Sequence, residues 1–170
     1  MRTAGRLLAL ATSGVLAATL LPSPALSLHK IPPTARLRNN GDVEQRGLVQ
    51  GYCWPSHDGA MGCYTVDERE WPDAFSTGAD QRIRIRFRKR AELKRVTIDA
   101  YRRVGNGGQP TGRRQRLDRQ IKPYKMEGRI VAWDAIFELP RPDRHYYLSV
   151  FAYWRKGHIV YHFHARTRQG

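Results

Sequence analysis

Acidic residues are scarce in this sequence, and so is cysteine. The chain has 15 aspartates and glutamates against 30 lysines and arginines, which gives a formal net charge of +15. This excess favours anionic partners such as nucleic acid, anionic lipid or the polymers of a cell envelope, although it also simply keeps a surface soluble. Only two cysteines are present, so a metal site of the finger type, which needs further Cys or His ligands nearby, is not indicated.

Helical periodicity and catalytic motifs are also missing. Beyond residue 27, no segment shows a helical pattern over three turns. Ser56, His57 and Asp58 are the residue types of a hydrolytic triad, but adjacent residues do not easily form its chain of hydrogen bonds. We therefore expect a non-catalytic domain with no cofactor, and keep a hydrolytic enzyme as the third alternative.

Residues 1–27 have the layout of a cleavable secretory signal. Arg2 and Arg6 form the positive start, an apolar run follows at residues 7–21, and small residues precede the expected cut. The run is shorter than the roughly 20 residues that cross a bilayer, so we expect cleavage rather than anchoring. The prediction is a secreted, extracellular protein with no transmembrane span after cleavage.

The pattern changes again near residue 47. Residues 28–46 contain Pro32, Pro33 and an Asn-Asn-Gly run with little apolar periodicity, which predicts a flexible linker. From residue 47 onward, short alternating runs are separated by turn residues. This pattern predicts one domain over 47–170, an all-β, antiparallel, immunoglobulin-like β-sandwich of seven to eight strands.

Two segments carry the clearest two-residue alternation. Ile83, Ile85 and Phe87 alternate with arginines, which predicts a half-buried strand with its apolar side chains in the core. The other segment is a C-terminal hairpin over 146–166.

The register of that hairpin follows from placing its turn at Lys156 and Gly157. Trp154 then lies opposite Ile159, and Ala152 lies opposite Tyr161, so that small side chains meet large ones.

Cys53 and Cys63 both lie in the part predicted to be exported. Two cysteines in an oxidising compartment are expected to pair, so we predict one disulfide between them.

Parts of the sequence resemble a known group of proteins. The run Gly-Tyr-Cys-Trp at residues 51–54, a second cysteine and the pattern of the C-terminal hairpin are similar to a β-sandwich module of small secreted proteins and lipoproteins of Gram-positive bacteria. The resemblance implies an immunoglobulin-like fold and no particular activity. This chain departs from the group because it lacks a lipobox cysteine and is rich in arginine. The hairpin positions concerned are Tyr146, Leu148, Val150, Ala152, Trp154, Gly157, Tyr161 and Phe163.

Four arginines on one predicted strand form the first candidate site. Their side chains stand about 6.8 Å apart along one sheet face, which is close to the charge spacing of extended phosphate polymers. We expect them to bind an anionic polymer, with a second arginine cluster flanking them. The alternative is a solvated outer face whose charge also prevents an edge strand from pairing with another strand. The four are Arg82, Arg84, Arg86 and Arg88, and the flanking cluster is Arg113, Arg114, Arg116 and Arg119.

Aromatic residues on the C-terminal hairpin form the second candidate site. Tyr147, Phe151 and Tyr153 alternate with core positions, so they point to the outer face. Outward aromatics suit stacking on sugar rings or contact with another protein. The alternative is that these aromatic side chains form a second packed layer, covered by the linker or by another strand.

Weaker patterns are interpreted as structural. His162 and His164 share a face, but a metal site would need a distant third ligand such as His57 or Asp134. The glycines at residues 105–108 lack the following helix of a phosphate cradle. An acidic loop lacks the spacing of a calcium loop, and we expect no metal. Its acids are Asp67, Glu68, Glu70 and Asp73.

The function predicted from these residues is non-catalytic binding of an anionic or glycan component of the cell envelope. The proposed mechanism is electrostatic capture by the arginines with stacking by the aromatics. The alternative is an extracellular protein–protein interaction module. Nucleic acid is not expected as the partner in vivo, although positive charge alone binds DNA at low salt.

Overall fold

The computed structural model describes residues 32–39, 44–55, 59–66, 69–77 and 82–168. Apart from one 3-10 turn at Asn106–Gly108, the regular structure in these residues consists of β-strands. No helix in the described part of the chain is long and apolar enough to span a membrane. The predicted signal lies outside the described residues, as do the triad-type residues at 56–58.

The strands form two main sheets. Sheet I has five strands, in the spatial order β11 (Arg119–Met126), β12 (Arg129–Glu138), β6 (Arg82–Arg88), β1 (Thr34–Arg38) and β2 (Glu44–Arg46). Sheet II has the order β10 (Gln115–Leu117), β7 (Leu93–Tyr101), β13 (His145–Trp154), β14 (Gly157–Thr167), β3 (Leu48–Pro55) and β4 (Met61–Thr65), with β5 (Phe75–Thr77) beside β14. A separate short hairpin joins β8 (Arg103–Val104) to β9 (Pro110–Thr111).

The two sheets pack face to face around one apolar core. Ile83, Ile85 and Phe87 of β6 are at most 2% exposed and belong to the same buried cluster as the inner residues of β13 and β14. The ring of Phe87 meets Trp154 edge to face at 5.9 Å and lies equally close to Tyr161. The predicted all-β antiparallel sandwich is therefore confirmed. In the described residues it has 14 strands rather than the seven to eight expected, and five of the 14 are only two or three residues long.

The predicted linker over 28–46 is wrong at residues 34–38 and 44–46. Residues 34–38 form β1, which pairs with β6 along its whole length, and residues 44–46 form β2 beside it. Ala35 and Leu37 are buried in the core, so these residues are held by apolar packing as well as by the sheet ladder. Five residues between Pro and Asn-rich segments are too few to show the alternation clearly.

The predicted hairpin register is wrong by two residues. The turn lies at residues 155–156, so that Trp154 pairs with Gly157 and Ala152 with Ile159. The physical reason is the approach of β3: a Cβ on Gly157 would lie 2.2 Å from the carbonyl oxygen of Cys53, so only glycine fits there. A shift of two residues leaves every side chain on its predicted face, which is why the core prediction survives.

The disulfide between Cys53 and Cys63 is confirmed. The two cysteines are direct partners across the antiparallel pair of β3 and β4, with their Cα atoms 4.1 Å apart. The bond therefore fastens the edge strand β4 to sheet II.

Candidate functional site

The outer face of sheet I collects basic side chains from four of its five strands. Because Ile83 and Ile85 fill the core, the arginines between them project from the opposite face. The strand register then places Arg36 beside Arg86, and Arg38 beside Arg84. We call this surface the basic face and define it by Arg36, Arg38, Arg46, Arg82, Arg84, Arg86, Arg88 and Lys122.

Few acids offset these cations. Glu44 lies between Arg36 and Arg38 and forms an ion pair with each, the Arg38 Nε to Glu44 Oε1 distance being 2.7 Å. The hydrogen bond from Arg36 lowers the pKa of Glu44, and the charge of Arg38 lowers it further. Two further acids, Asp134 and Glu138, lie on β12 in register with arginines of β6. The cations on the basic face outnumber these acids, so the surface keeps a positive field.

Arg86 differs from the other three arginines on β6. Its Nε and Nη2 donate to the Oδ1 and Oδ2 of Asp134, both at 2.8 Å, and its guanidinium lies 3.4 Å from the ring centroid of Tyr124. The hydrogen bond to Asp134 raises the pKa of Arg86, which is only 9% exposed. The expectation of a free docking arginine is therefore wrong at this position, because Asp134 stands directly opposite in the register.

Arg84 and Arg88 remain available. Arg84 is half-buried between Ile136 and Arg38, and its guanidinium has no ion pair or hydrogen bond among the described residues. Arg88 is exposed at the end of β6. These two are therefore the arginines of the strand with the most free hydrogen-bonding capacity for a ligand.

A recess opens at the Arg88 end of the basic face. It has a volume of about 620 Å³ and combines basic and apolar walls. Tyr124, Met126 and Val131 form the apolar part, and the Met126 side chain is 56% exposed. Arg88 and Lys89 contribute to the basic part. We call it the β6 recess.

A second recess of about 450 Å³ lies at the Arg82 end. Arg116 and Arg119 of the predicted flanking cluster line it together with Arg82. Both already have partners, since Arg116 pairs with Asp99 at 3.0 Å and the Nε of Arg119 donates to the Val96 carbonyl at 2.7 Å. Arg116 and Arg119 therefore add positive charge to this recess, but part of their hydrogen-bonding capacity is already used within the protein.

The predicted aromatic residues lie on the opposite side of the molecule. Tyr147, Phe151 and Tyr153 project from the outer face of sheet II, with the whole core between them and the basic face. A flat ligand cannot touch both surfaces at once. The expected combination of arginine capture with stacking by Tyr147 and Tyr153 is therefore wrong as a single site.

Residues 69–74 cross the outer face of sheet II and form a segment that we call the strap. The Trp71 ring stacks flat on His162 with centroids 3.9 Å apart and meets Tyr147 edge to face at 5.2 Å. The indole Nε1 donates to the Gly108 carbonyl at 2.7 Å, and strap carbonyls lie within hydrogen-bond distance of His162 and His164. Tyr147 is thus half-buried beside the strap, which is neither the linker nor a strand. Phe151 is half-buried against His158, and Tyr153 is 42% exposed.

Histidines cluster beneath and beside the strap. Burial lowers the pKa of His162 to about 4, and burial together with the charge of His145 lowers that of His164. His145 Nδ1 and His164 Nε2 are 2.9 Å apart. The described part of the chain contains no group of three His, Cys, Asp or Glu side chains suited to a metal ion. Asp134, considered as a third ligand, lies on the other sheet with Arg86, and His57 lies outside the described residues.

Sequence reasoning missed several members of the basic face. Arg36 and Arg38 alternate with Ala35 and Leu37, which is the same signal that identified β6, but it spans only five residues. The pairing of Arg86 with Asp134 depends on strand register between segments 48 residues apart, which alternation alone does not provide.

Comparison with known proteins finds no match to a family model, to a curated protein or to a solved structure. The resemblance to secreted Gram-positive modules stays a prediction.

Proposed function

We propose that this domain is a secreted, non-catalytic binding module that holds an anionic polymer or glycan of the cell envelope on its basic face. The observation that carries the proposal is the pair Arg84 and Arg88, which lie on the central strand of sheet I without ion pairs among the described residues, surrounded by further cations. Guanidinium groups form paired hydrogen bonds with phosphate and carboxylate oxygens, so this row suits either anion.

The shape of the surface favours an extended ligand. Alternate residues on a strand repeat at about 6.8 Å, so Arg84 and Arg88 are separated by roughly 13 Å along β6. A polymer with regularly spaced charges meets both, whereas a small anion meets one. The recesses at the two ends of β6 continue this surface beyond the strand.

The chemistry of the face supports binding rather than catalysis. Arginine stays protonated throughout the physiological range and offers only donors. His162 and His164, whose ring nitrogens lie within hydrogen-bond distance of strap carbonyls, belong to the other sheet.

A location outside the cytoplasm is part of the proposal. The Cys53–Cys63 disulfide supports it, because such bonds persist in oxidising compartments. The signal peptide and the immunoglobulin-like relationship remain predictions.

The test compares two double variants that remove equal charge. R84Q/R88Q removes the two arginines of β6 that have no ion pair among the described residues, whereas R141Q/R144Q removes two exposed arginines from the loop before β13. Binding to purified teichoic acid, polygalacturonate and a neutral glucan is measured at low salt by calorimetry. We expect R84Q/R88Q to weaken binding to the anionic polymers by about tenfold or more, and the control by much less. Equal losses in the two variants, or no binding to any polymer by the unmodified protein, would overturn the proposal.

A second candidate function is a protein–protein contact through sheet II. The exposed Tyr153, next to the half-buried Phe151, favours it. In that case Tyr153→Ala and Phe151→Ala abolish capture of the partner, while Arg84→Ala has little effect.

A further inference from the structure

Three neighbouring turns at one end of the sandwich carry cations. The β6 recess brings the end of the β11–β12 hairpin against the loop between β6 and β7, and a smaller recess of about 230 Å³ brings that loop against the turn between β13 and β14. Each of the three contributes two basic residues, and none of these forms an ion pair among the described residues. We call this surface the basic end and define it by Lys89, Arg90, Lys125, Arg129, Arg155 and Lys156.

The cations of the basic end face solvent. All except Lys89 are exposed, and Lys89 is half-buried with its ammonium 5.5 Å from the ring centroid of Trp54. Glu92 and Glu127 are the acids in the same three segments, and Glu92 is already paired with Lys94. The end of the sandwich therefore has a positive field directed outward, which suits an anionic surface.

Exposed methionines lie among these cations. Met126, the last residue of β11, is 56% exposed, and the turn that follows it is open, since nothing lies within 4 Å of a Cβ placed at Gly128. Met61 of sheet II is 59% exposed and lies at the same end, where it pairs with Pro55 beside the start of β14. An ionic polymer makes no use of an apolar side chain between cations, whereas a lipid bilayer takes up both.

The chain also enters the sandwich at the basic end. Thr34, the first residue of β1, pairs with Arg88, which directly precedes Lys89. The predicted signal, with its apolar run at residues 7–21, therefore connects to the domain from this end. Until the signal is cleaved, the domain would lie with its basic end toward the membrane.

From these observations we infer that the basic end rests on a lipid bilayer that contains anionic lipid. The cations contact lipid phosphates, and Met126 and Met61 enter the boundary between the headgroups and the acyl chains. This inference goes beyond the proposed function, because a polymer lies along β6 whereas the bilayer meets the turns at its end. The strands then stand on the membrane, and the face around Arg84 stays accessible to the polymer.

The experiment measures co-sedimentation of the secreted form, residues 28–170, which retains every described strand. Vesicles contain equal parts of phosphatidylglycerol and phosphatidylcholine, or phosphatidylcholine alone. We expect binding to the mixed vesicles only. K125Q/R129Q and R155Q/K156Q should each weaken it by about tenfold or more, because each cation near an anionic membrane adds to the attraction. The control R141Q/R144Q removes equal charge from the loop that follows the opposite end of β12 and should have a much smaller effect.

A second measurement tests insertion. The protein, with ¹³C-labelled methionine and leucine methyl groups, is bound to nanodiscs of the mixed lipids that carry a nitroxide spin label on an acyl chain. The label should broaden the signals of Met126 and Met61, while the signals of Leu139, beyond the other end of β12, stay sharp. M126Q identifies the Met126 signal and should itself weaken vesicle binding.

Four results would overturn the inference. Equal losses in the three double variants would show that net charge alone attracts the protein. Equal binding to phosphatidylcholine alone would exclude a requirement for anionic lipid. Sharp methionine signals in the bound protein would exclude insertion. Displacement by soluble glycerol phosphate at the same phosphate concentration would assign the site to a free phosphate.

Failure of this inference is distinguishable from failure of the proposed function. None of the substituted cations at the basic end belongs to the basic face. If K125Q/R129Q loses neither polymer nor vesicle affinity while R84Q/R88Q loses the polymer, the basic face stands alone. If R84Q/R88Q keeps the polymer while K125Q/R129Q loses the vesicles, the membrane contact stands and the polymer site fails.

Discussion

Arg86 and Asp134 are joined by two hydrogen bonds of 2.8 Å across the pair of strands β6 and β12. Both residues are buried, at 9% and 6% exposure, on a face whose other arginines are more accessible. The four arginines of β6 therefore do not have equivalent surroundings. Arg86 holds two strands together, and Arg84 and Arg88 are left for a ligand.

The first prediction separates these roles by stability. Arg86→Gln leaves the Asp134 carboxylate buried without its partner, so the free energy of unfolding should fall by about 3–5 kcal/mol. Arg84→Gln removes no ion pair and should change it by less than about 0.5 kcal/mol. Urea unfolding followed by tryptophan fluorescence measures both. Equal effects of the two substitutions would contradict the assignment of a structural role to Arg86 and not to Arg84.

A second prediction concerns pH and the strap. The folded-state pKa of His162 is lowered to about 4, while in the unfolded chain it is near 6.5. The unfolded state therefore binds the proton first as pH falls, and stability declines from about pH 6.5 down to about pH 4. The loss is on the order of 2–3 kcal/mol, and His164 adds to it in the same direction.

Thermal unfolding midpoints between pH 7 and pH 4 measure this decline. Glu70, Asp73, Arg69 and His145 also lie near the two histidines, so the comparison with His162→Gln isolates the contribution of His162. That variant should show a flatter dependence. If its midpoints fall as steeply as those of the unmodified protein, burial of His162 is not the cause.

A third prediction follows from the close approach at Gly157. A methyl group there meets the Cys53 carbonyl and the Trp54 ring, so Gly157→Ala must push β3 away from β14. We expect a loss of about 1–3 kcal/mol in unfolding free energy, measured by urea titration. Gly128→Asn is the control, because nothing lies near that position and asparagine tolerates its positive φ. A cost at Gly157 no larger than at Gly128 would argue against the observed register.

The fourth prediction uses the disulfide to separate stability from binding. Replacing both Cys53 and Cys63 by serine should lower the unfolding free energy by about 2–3 kcal/mol, because the bond closes a short loop. Polymer binding should be unchanged in conditions where the variant is folded, since both cysteines lie in sheet II. Calorimetry at low salt measures the polymer affinity. A loss of affinity in a variant that is folded would indicate that the ligand does not bind to the basic face.

Alternation along β6, β13 and β14 was enough to predict which of their side chains enter the core. Ile83, Ile85 and Phe87 are buried as expected, and the arginines between them project outward. The same pattern placed the inner residues of β13 and β14 correctly even though the hairpin register was off by two, because faces repeat with that period.

Contacts between segments that are distant in the sequence could not be predicted from alternation. The partner of Arg86 is 48 residues away, and the strap that contacts Tyr147 has no regular structure to reveal its path. The separation of the arginines from the aromatics also depends on which strand joins which sheet. Sequence alternation says that a side chain points outward, but not from which side of the sandwich.

The most direct test of the account is the salt dependence of polymer affinity. For a polyanion such as teichoic acid or polygalacturonate, each cation that contacts the ligand contributes about one unit to the slope of log affinity against log salt concentration. The slope for R84Q/R88Q should therefore be shallower by about two units than that of the unmodified protein, and the slope for R141Q/R144Q should be unchanged. Identical slopes for all three proteins would contradict the assignment of the basic face as the binding surface.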